Sequence, residues 1–177
     1  SYPWDGTVTL TVTAAATCTL SLRIPAWCTD WTLSIDGAVA DDGYVRLHRA
    51  WAVGDRLVLT LAMPPRVIHP HPRIDAVRGT VALARGPVVH CLEHADNPTG
   101  VFEDLHLDPA APIDVRHDGF APVTLSASGS ARTPSPDDLY RDTPFPPAEP
   151  ATPVTLTAIP YFRWANRNPG PMRVWIP

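Results

Sequence analysis

The sequence predicts an all-β protein built from two antiparallel β-sandwich modules in tandem, with no significant helix. Three observations support this fold class. Apolar and polar side chains alternate strictly in short runs, turn-forming Asp-Gly and Gly-Asp pairs separate those runs, and no segment shows the spacing of an amphipathic helix. Short strands at regular spacing are typical of β-sandwiches.

The alternation is clearest in the first third of the chain. A two-residue period places one set of side chains on each face of a strand, so each run predicts a half-buried strand. Turns are predicted at Asp36-Gly37, Asp42-Gly43 and Gly54-Asp55. The predicted strands contain Val8–Val12, Leu20–Ile24, Trp31–Ile35, Val45–Leu47 and Leu57–Leu61.

The segment from Arg78 to Glu93 predicts two further strands, Thr80–Ala84 and Val88–Leu92. Arg85-Gly86-Pro87 separates them, because glycine permits a bend and proline lacks the N–H that a strand ladder needs. The composition then shifts toward proline and alanine. We therefore expect the first module to span residues 1–97 and the second to span residues 98–177.

The second module has fewer strand signals. Strands are predicted near Ile113–Arg116 and Val123–Ser128, and a final hairpin is predicted from Val154–Tyr161 and Met172–Ile176. Seven prolines lie within Thr133–Pro153, which excludes a central strand or a helix interior and predicts a long loop. That loop is either a variable surface excursion or an arm that docks on a neighbouring domain.

Composition excludes several classes of function. The formal net charge is -4 without a basic cluster, so nucleic acid is not an expected partner. No apolar run is long enough to predict a membrane span. The three cysteines, Cys18, Cys28 and Cys91, form neither an even disulfide set nor a CxxC pair, which favours a reducing, cytoplasmic location.

Catalytic and metal-binding signals are weak. His90, Glu93 and His94 match the H-x-x-E-H string of zinc proteases, but that motif needs a helix and this segment is predicted to be a strand. His69 and His71 share a face of an extended segment, where a proline-blunted edge strand is the preferred interpretation. Glycosidases need a carboxylate pair, and with few glutamates we give Glu93 a structural or interface role. We therefore predict no catalytic, cofactor or metal residue in this chain.

The aromatic residues give the remaining candidate site. Trp31 alternates in phase with Leu33 and Ile35 and is predicted to lie in the core. Trp27, Trp51 and Trp164 lie at strand ends or turns, where they could pack against another domain or a ligand. Packing between domains is the preferred interpretation, and stacking on a sugar is the alternative.

Several segments, taken in order, resemble the β-sandwich region that follows the catalytic barrel in glycoside hydrolase family 127. The more specific ones are Arg85-Gly86-Pro87 and Trp164-Ala165-Asn166-Arg167. The other matching segments are Tyr2–Gly6, Leu22–Trp27, Gly43–Trp51, Gly54-Asp55, Met63-Pro64, Arg78–Leu83, Cys91–Glu93, Ile159–Arg163 and Met172–Trp175. Arg167 therefore joins the three tryptophans as a candidate contact residue.

The resemblance implies a function for the chain. Family members carry an (α/α)6 catalytic barrel with a cysteine nucleophile in a zinc site, followed by two β-sandwich domains, and this sequence matches only the sandwiches. We therefore expect a non-catalytic accessory region of a β-L-arabinofuranosidase-like enzyme, without a cofactor of its own. Its expected partners are the catalytic barrel and possible second copies in a homodimer. The alternative is a carbohydrate-binding module.

Overall fold

A computed structural model describes residues 2–117, 121–132, 142–143 and 151–177. The chain divides into two compact units, residues 1–64 and residues 65–177. The strand pairs among these residues are all antiparallel. Strands without a long helix confirm the all-β prediction for the described part of the chain. Helical structure in the described residues is limited to three single-turn 3-10 helices, η1 (Asp75–Val77), η2 (Phe102–Asp104) and η3 (Tyr161–Arg163).

Six strands form the first unit. They are β1 (Thr7–Thr11), β2 (Ala16–Arg23), β3 (Trp31–Leu33), β4 (Val39–Asp41), β5 (Tyr44–Trp51) and β6 (Arg56–Leu61). The strands form two three-stranded sheets, in the orders β1-β6-β3 and β2-β5-β4. Leu57 from the first sheet packs in one cluster with Leu47 and Trp51 from the second, so the two sheets enclose a shared core as a sandwich.

The described residues of the second unit form eight strands. They are β7 (Pro65–Ile68), β8 (Ala82–Arg85), β9 (Val88–Glu93), β10 (Leu105–Leu107), β11 (Ile113–Arg116), β12 (Thr124–Ala131), β13 (Thr152–Pro160) and β14 (Met172–Arg173). They form one sheet in the order β10-β12-β13-β9-β8-β7, with β11 on β12 and β14 on β9. Val67 of edge strand β7 and Ile113 of β11 pack against the same buried cluster. The sheet therefore curls around a single core.

The two segments predicted to form the final hairpin do not pair with each other, so that prediction is wrong. β13 pairs with β9 through Ile159 and Cys91, whereas β14 pairs with β9 through Met172 and Glu93. Since Leu92 pairs with Ala158 on one side and Arg173 on the other, β9 lies between β13 and β14. A strand between them prevents β13 and β14 from forming a hairpin with each other.

The boundary between the two units lies at residues 64 and 65, whereas the sequence predicted it near residue 97. β7 pairs with β8, β8 with β9, and β9 with β13. Residues 65–97 therefore share a sheet with strands much later in the chain. The composition shift after residue 97 marks a connection within the second unit.

The predicted long loop Thr133–Pro153 falls largely outside the described residues, so its two alternatives stay as predictions. β13 begins within its last residues, at Thr152. Nowhere in the described ranges is a helix both long and apolar enough to span a membrane.

Candidate functional site

A buried carboxylate terminates β9. The side chain of Glu93 is 1% exposed, and its Oε2 accepts a hydrogen bond from Nη2 of Arg167. Arg167 also binds Asp96 through both terminal nitrogens, with Nη1 donating to Oδ1 at 2.8 Å and Nη2 to Oδ2. One guanidinium thus joins two carboxylates that lie 71 and 74 residues away along the chain. Such charge-assisted bonds are stronger than neutral ones.

Asn97 fixes the backbone next to this ion-pair cluster, which comprises Glu93, Asp96 and Arg167. The residue is 5% exposed. Its Nδ2 donates to the backbone oxygens of Glu93 and Thr157, both at 2.9 Å, and its Oδ1 accepts from the N–H of Thr157 at 2.8 Å. The turn after β9 is therefore held to β13 as well as to Arg167.

The ion-pair cluster supports an aromatic loop, which we define as Tyr161–Trp164. Tyr161, Phe162 and Trp164 are 45%, 59% and 41% exposed. The rings of Tyr161 and Trp164 are nearly parallel, at 13°, with centroids 6.5 Å apart. The next residue, Ala165, has a left-handed φ of 60° and donates its N–H to Glu93 Oε1 at 3.1 Å. Three exposed rings are thereby attached to a buried anchor.

The charges of the ion-pair cluster are paired with one another, as in a structural anchor. Hydrogen bonds to Asp96 and to Glu93 raise the pKa of Arg167, against the opposing effect of burial. Both carboxylates therefore face a permanent cation. The prediction that Glu93 is structural or at an interface agrees with these contacts.

The two histidines of the H-x-x-E-H string lie in different environments. His90 is 1% exposed on β9, and burial lowers its pKa to about 4. His94 is exposed beyond the end of β9, and its ring meets Phe102 edge-on at 6.0 Å. Within the described ranges, no three side chains of His, Cys, Asp or Glu are grouped so as to hold a metal ion.

The four predicted contact residues occupy three kinds of position. Trp164 belongs to the aromatic loop, and Arg167 belongs to the ion-pair cluster that anchors this loop. Trp27 is half-buried and packs against the cluster formed by Cys28, Leu59 and Leu61 in the first unit.

Trp51 differs from its predicted role at a contact surface, because it lies inside the first unit. The residue is 4% exposed and its Nε1 donates to the backbone oxygen of Cys18 at 3.2 Å. The guanidinium of Arg49 lies 5.0 Å from the Trp51 ring centroid. Trp51 is in phase with the buried Val45 and Leu47 on β5, and this parity was the signal that would have assigned it to the core.

Sequence reasoning did not find the partnership of Glu93, Asp96 and Arg167. More than seventy residues separate Arg167 from its partners, and no local pattern reports such a contact. The only available signal was chemical: a glutamate at the end of an apolar strand requires a cation once that strand end is buried.

Two family models cover the chain, and they meet at the structural boundary between the units. Residues 1–63 match the β-L-arabinofuranosidase, GH127 middle domain, and residues 65–177 match the glycoside hydrolase family 127 C-terminal domain.

Individual relatives give the same assignment. The chain is 34% identical to a non-reducing end β-L-arabinofuranosidase of Bifidobacterium longum subsp. longum, covering 99% of the chain and 29% of that relative. A GH127 β-L-arabinofuranosidase from Geobacillus stearothermophilus T6 has 37% identity and a TM-score of 0.82, over 98% of this chain and 29% of that one. A solved glycoside hydrolase has 27% identity and a TM-score of 0.86, over 99% and 31%.

The chain thus spans about three tenths of the length of these relatives. The two family models give the order of the domains along the chain, the middle domain first and the C-terminal domain second. The chain belongs to glycoside hydrolase family 127, of which it contains the middle domain and the C-terminal domain.

Proposed function

We propose that this chain is the non-catalytic accessory region of a β-L-arabinofuranosidase-like glycoside hydrolase, and that it braces the catalytic region of the same parent protein. The observation that carries the proposal is the aromatic loop on its buried ion-pair cluster. Relatives named as β-L-arabinofuranosidases extend well beyond the part that this chain matches. That additional length leaves room for a catalytic region in the parent protein.

The aromatic loop has the composition of a docking surface. Tyr161, Phe162 and Trp164 place three large rings within four residues, each more than two fifths exposed. Tyrosine and tryptophan are among the residues that contribute most to protein interfaces, because they bury a large area with few rotatable bonds. Covering these rings with another protein surface removes apolar area from water.

The ion-pair cluster makes this surface rigid before it binds. Arg167 follows the loop and is held by Asp96 and Glu93, and Ala165 is held by Glu93 directly. A loop that is already ordered loses little conformational entropy on docking. The buried charges therefore hold the loop in one conformation. This role explains why a carboxylate lies at the end of an apolar strand.

The catalytic chemistry of the parent enzyme lies, under this proposal, outside the 177 residues. The resemblance to the family assigns the zinc site and the cysteine nucleophile to the barrel, so we carry neither onto Cys18, Cys28 or Cys91. A cytoplasmic location and a homodimer contact are further parts of the proposal. Size-exclusion chromatography with light scattering tests the homodimer.

Assay of the isolated chain on a chromogenic β-L-arabinofuranoside tests the lack of catalysis. We expect no turnover above the buffer rate, with or without added zinc. Turnover that co-purifies with the chain and persists after a second chromatographic step would refute the proposal.

Docking through the aromatic loop is tested in the parent enzyme. Trp164→Ala should lower the temperature of irreversible inactivation by several degrees while leaving kcat at 25 °C unchanged, because it removes interface area and touches no reacting group. Tyr2→Ala, which truncates an equally exposed ring in the first unit, is the matched control. Equal inactivation temperatures for the two variants would contradict docking through this loop.

A further inference from the structure

The first unit contains a cavity, open to the surface, that bracing of a catalytic region does not explain. Its volume is about 390 Å³, and it lies between the segment after β2 and the turn that joins β4 to β5. Sites for small ligands typically measure ~300 to 1,000 Å³. The cavity is therefore large enough for one small organic molecule.

Both walls of the cavity are held by backbone hydrogen bonds. The N–H of Ile24 donates to the oxygen of Gly43 at 2.8 Å and joins the two walls. Asp42 and Gly43 have φ values of 51° and 72°, as a two-residue hairpin turn of type I′ requires. On the opposite wall, the N–H of Cys28 donates to the oxygen of Pro25 at 2.9 Å. The cavity is thus preformed.

The lining combines aromatic rings with carboxylates. Trp31 and Tyr44 both line the cavity. Trp31 is half-buried and also packs against the cluster of Cys28, Leu59 and Leu61, and Tyr44 is 36% exposed, so each residue retains accessible area. Asp41 and Asp42 are exposed at the turn and lie at the rim. The guanidinium of Arg46 lies 5.3 Å from the Tyr44 ring centroid and 3.9 Å from Asp41, which helps to hold the ring and the carboxylate in place.

We propose that this cavity binds one neutral sugar ring, either free or at the end of an oligosaccharide. A sugar has C–H faces that pack against aromatic rings, and its hydroxyl groups donate to acceptors such as carboxylates. Asp42, together with Asp41 and its partner Arg46, leaves the rim with a net negative charge, which disfavours an anionic ligand. A wholly apolar ligand would remove water from those carboxylates without returning hydrogen bonds.

The site belongs to the first unit alone and does not involve the aromatic loop. Its occupation is consequently independent of whether the second unit braces a catalytic region. For a pentose of about ten non-hydrogen atoms in an open site, about 0.4 kcal/mol per atom gives about 4 kcal/mol in total, which is a dissociation constant in roughly the millimolar range. Binding that weak must be measured by a method that reports on individual residues.

The test is a titration of the complete 177-residue chain with L-arabinose and with arabino-oligosaccharides, followed by 1H–15N correlation spectra. We expect saturable shifts that start at residues 24–28 and 40–44. Tyr44→Leu should weaken binding at least fivefold by removing one ring face. Asp42→Asn should weaken it about tenfold by removing a charged acceptor, while keeping a residue that tolerates positive φ.

Two control variants distinguish a loss of sugar affinity caused by the removed cavity residue from a loss caused by general disruption of the first unit. Tyr2→Leu removes an exposed ring elsewhere in the first unit, and Asp36→Asn changes the aspartate of another Asp-Gly turn. Both should bind the sugars as the wild type does. The spectra of each variant also show whether the first unit remains folded.

Three outcomes would overturn the proposal. The first is no saturable shift at concentrations up to about ten times the expected constant. The second is a set of shifts confined to the aromatic loop. The third is a response of Asp41 and Asp42 to Ca²⁺ with none to the sugars, which would make the cavity rim a cation site.

Discussion

Replacing Arg167 with alanine should destabilise the second unit, because it leaves a buried carboxylate without its cation. The side chains of Glu93, Asp96 and Arg167 are 1%, 19% and 25% exposed. Removing one partner of a fully buried pair costs roughly 3 to 5 kcal/mol. Water reaches Arg167 and Asp96, so part of that effect is screened. We therefore expect a loss of about 2 to 3 kcal/mol for Arg167→Ala.

The assay is urea and thermal unfolding of the isolated chain, with hydrogen exchange used to assign each transition to a unit. For a unit spanning residues 65–177, such a loss lowers the melting temperature by roughly 8 to 12 °C. The transition of the first unit should not move. Amide exchange at Ala165, whose N–H bonds to Glu93, should accelerate more than exchange in β12.

A matched control and a double variant identify the cause of the stability loss in Arg167→Ala. Arg116→Ala removes an exposed arginine of β11 and should change stability by less than about 0.5 kcal/mol. Adding Glu93→Gln to Arg167→Ala should recover part of the loss, because it removes the unpaired buried charge. If Arg167→Ala were as stable as Arg116→Ala, the ion-pair cluster would not be the anchor of the aromatic loop.

Three further predictions concern buried groups of the second unit and the cysteines. Burial lowers the pKa of His90 to about 4. From about pH 6.5 down to about pH 4 the unfolded chain takes up a proton that the folded unit does not, so the free energy of unfolding should fall by about 3 kcal/mol. Urea titrations of the wild type and of His90→Phe, repeated at several pH values, should show this loss of unfolding free energy in the wild type only. If the unfolding free energies of the two proteins fell in parallel with pH, the prediction would be contradicted. Asn97→Ala should lose about 2 to 3 kcal/mol in the same titrations, because three buried hydrogen bonds disappear, whereas the exposed Asn168→Ala should lose almost nothing. Cys18 is exposed, Cys28 and Cys91 are buried, and burial raises the pKa of Cys91 to about 12. A thiol reagent should therefore modify one cysteine rapidly in the folded chain, and Cys18→Ser should abolish that fast phase; rapid modification of three thiols would refute it.

The strands of the first unit could be predicted because the signal for each strand, the alternation of apolar and polar residues, lies within that strand. The predicted runs each overlap an observed strand, and three of them extend one or two residues beyond it. The runs begin at Val8, Leu20, Trp31, Val45 and Leu57. β4 was missed because all three of its residues are exposed and it has no alternation. β7 was missed because it is four residues long, begins with proline and is half-buried throughout.

Pairing between distant strands could not be predicted. The assignment of residues 65–97 to the second unit depends on Ile159 meeting Cys91, and the error in the final hairpin depends on Met172 meeting Glu93. A strand pattern reports which side chains share a face, and it contains no information on which strand lies alongside. The resemblance to the family supplied the number and order of the domains, which local patterns alone did not.

The placement of β9 between β13 and β14 determines when each unit can fold during synthesis. Every strand pair of the first unit lies within residues 7–61, so this unit can fold while the ribosome is still making the rest. β9 must wait for both neighbours, and Val81 meets Ile176 only at the end of the sequence. After β9 is synthesised, roughly 70 further residues must be translated before Ile159 can meet Cys91, and roughly 80 before Met172 can meet Glu93. Over that interval the apolar residues of β9 lack these partners and are available to a chaperone.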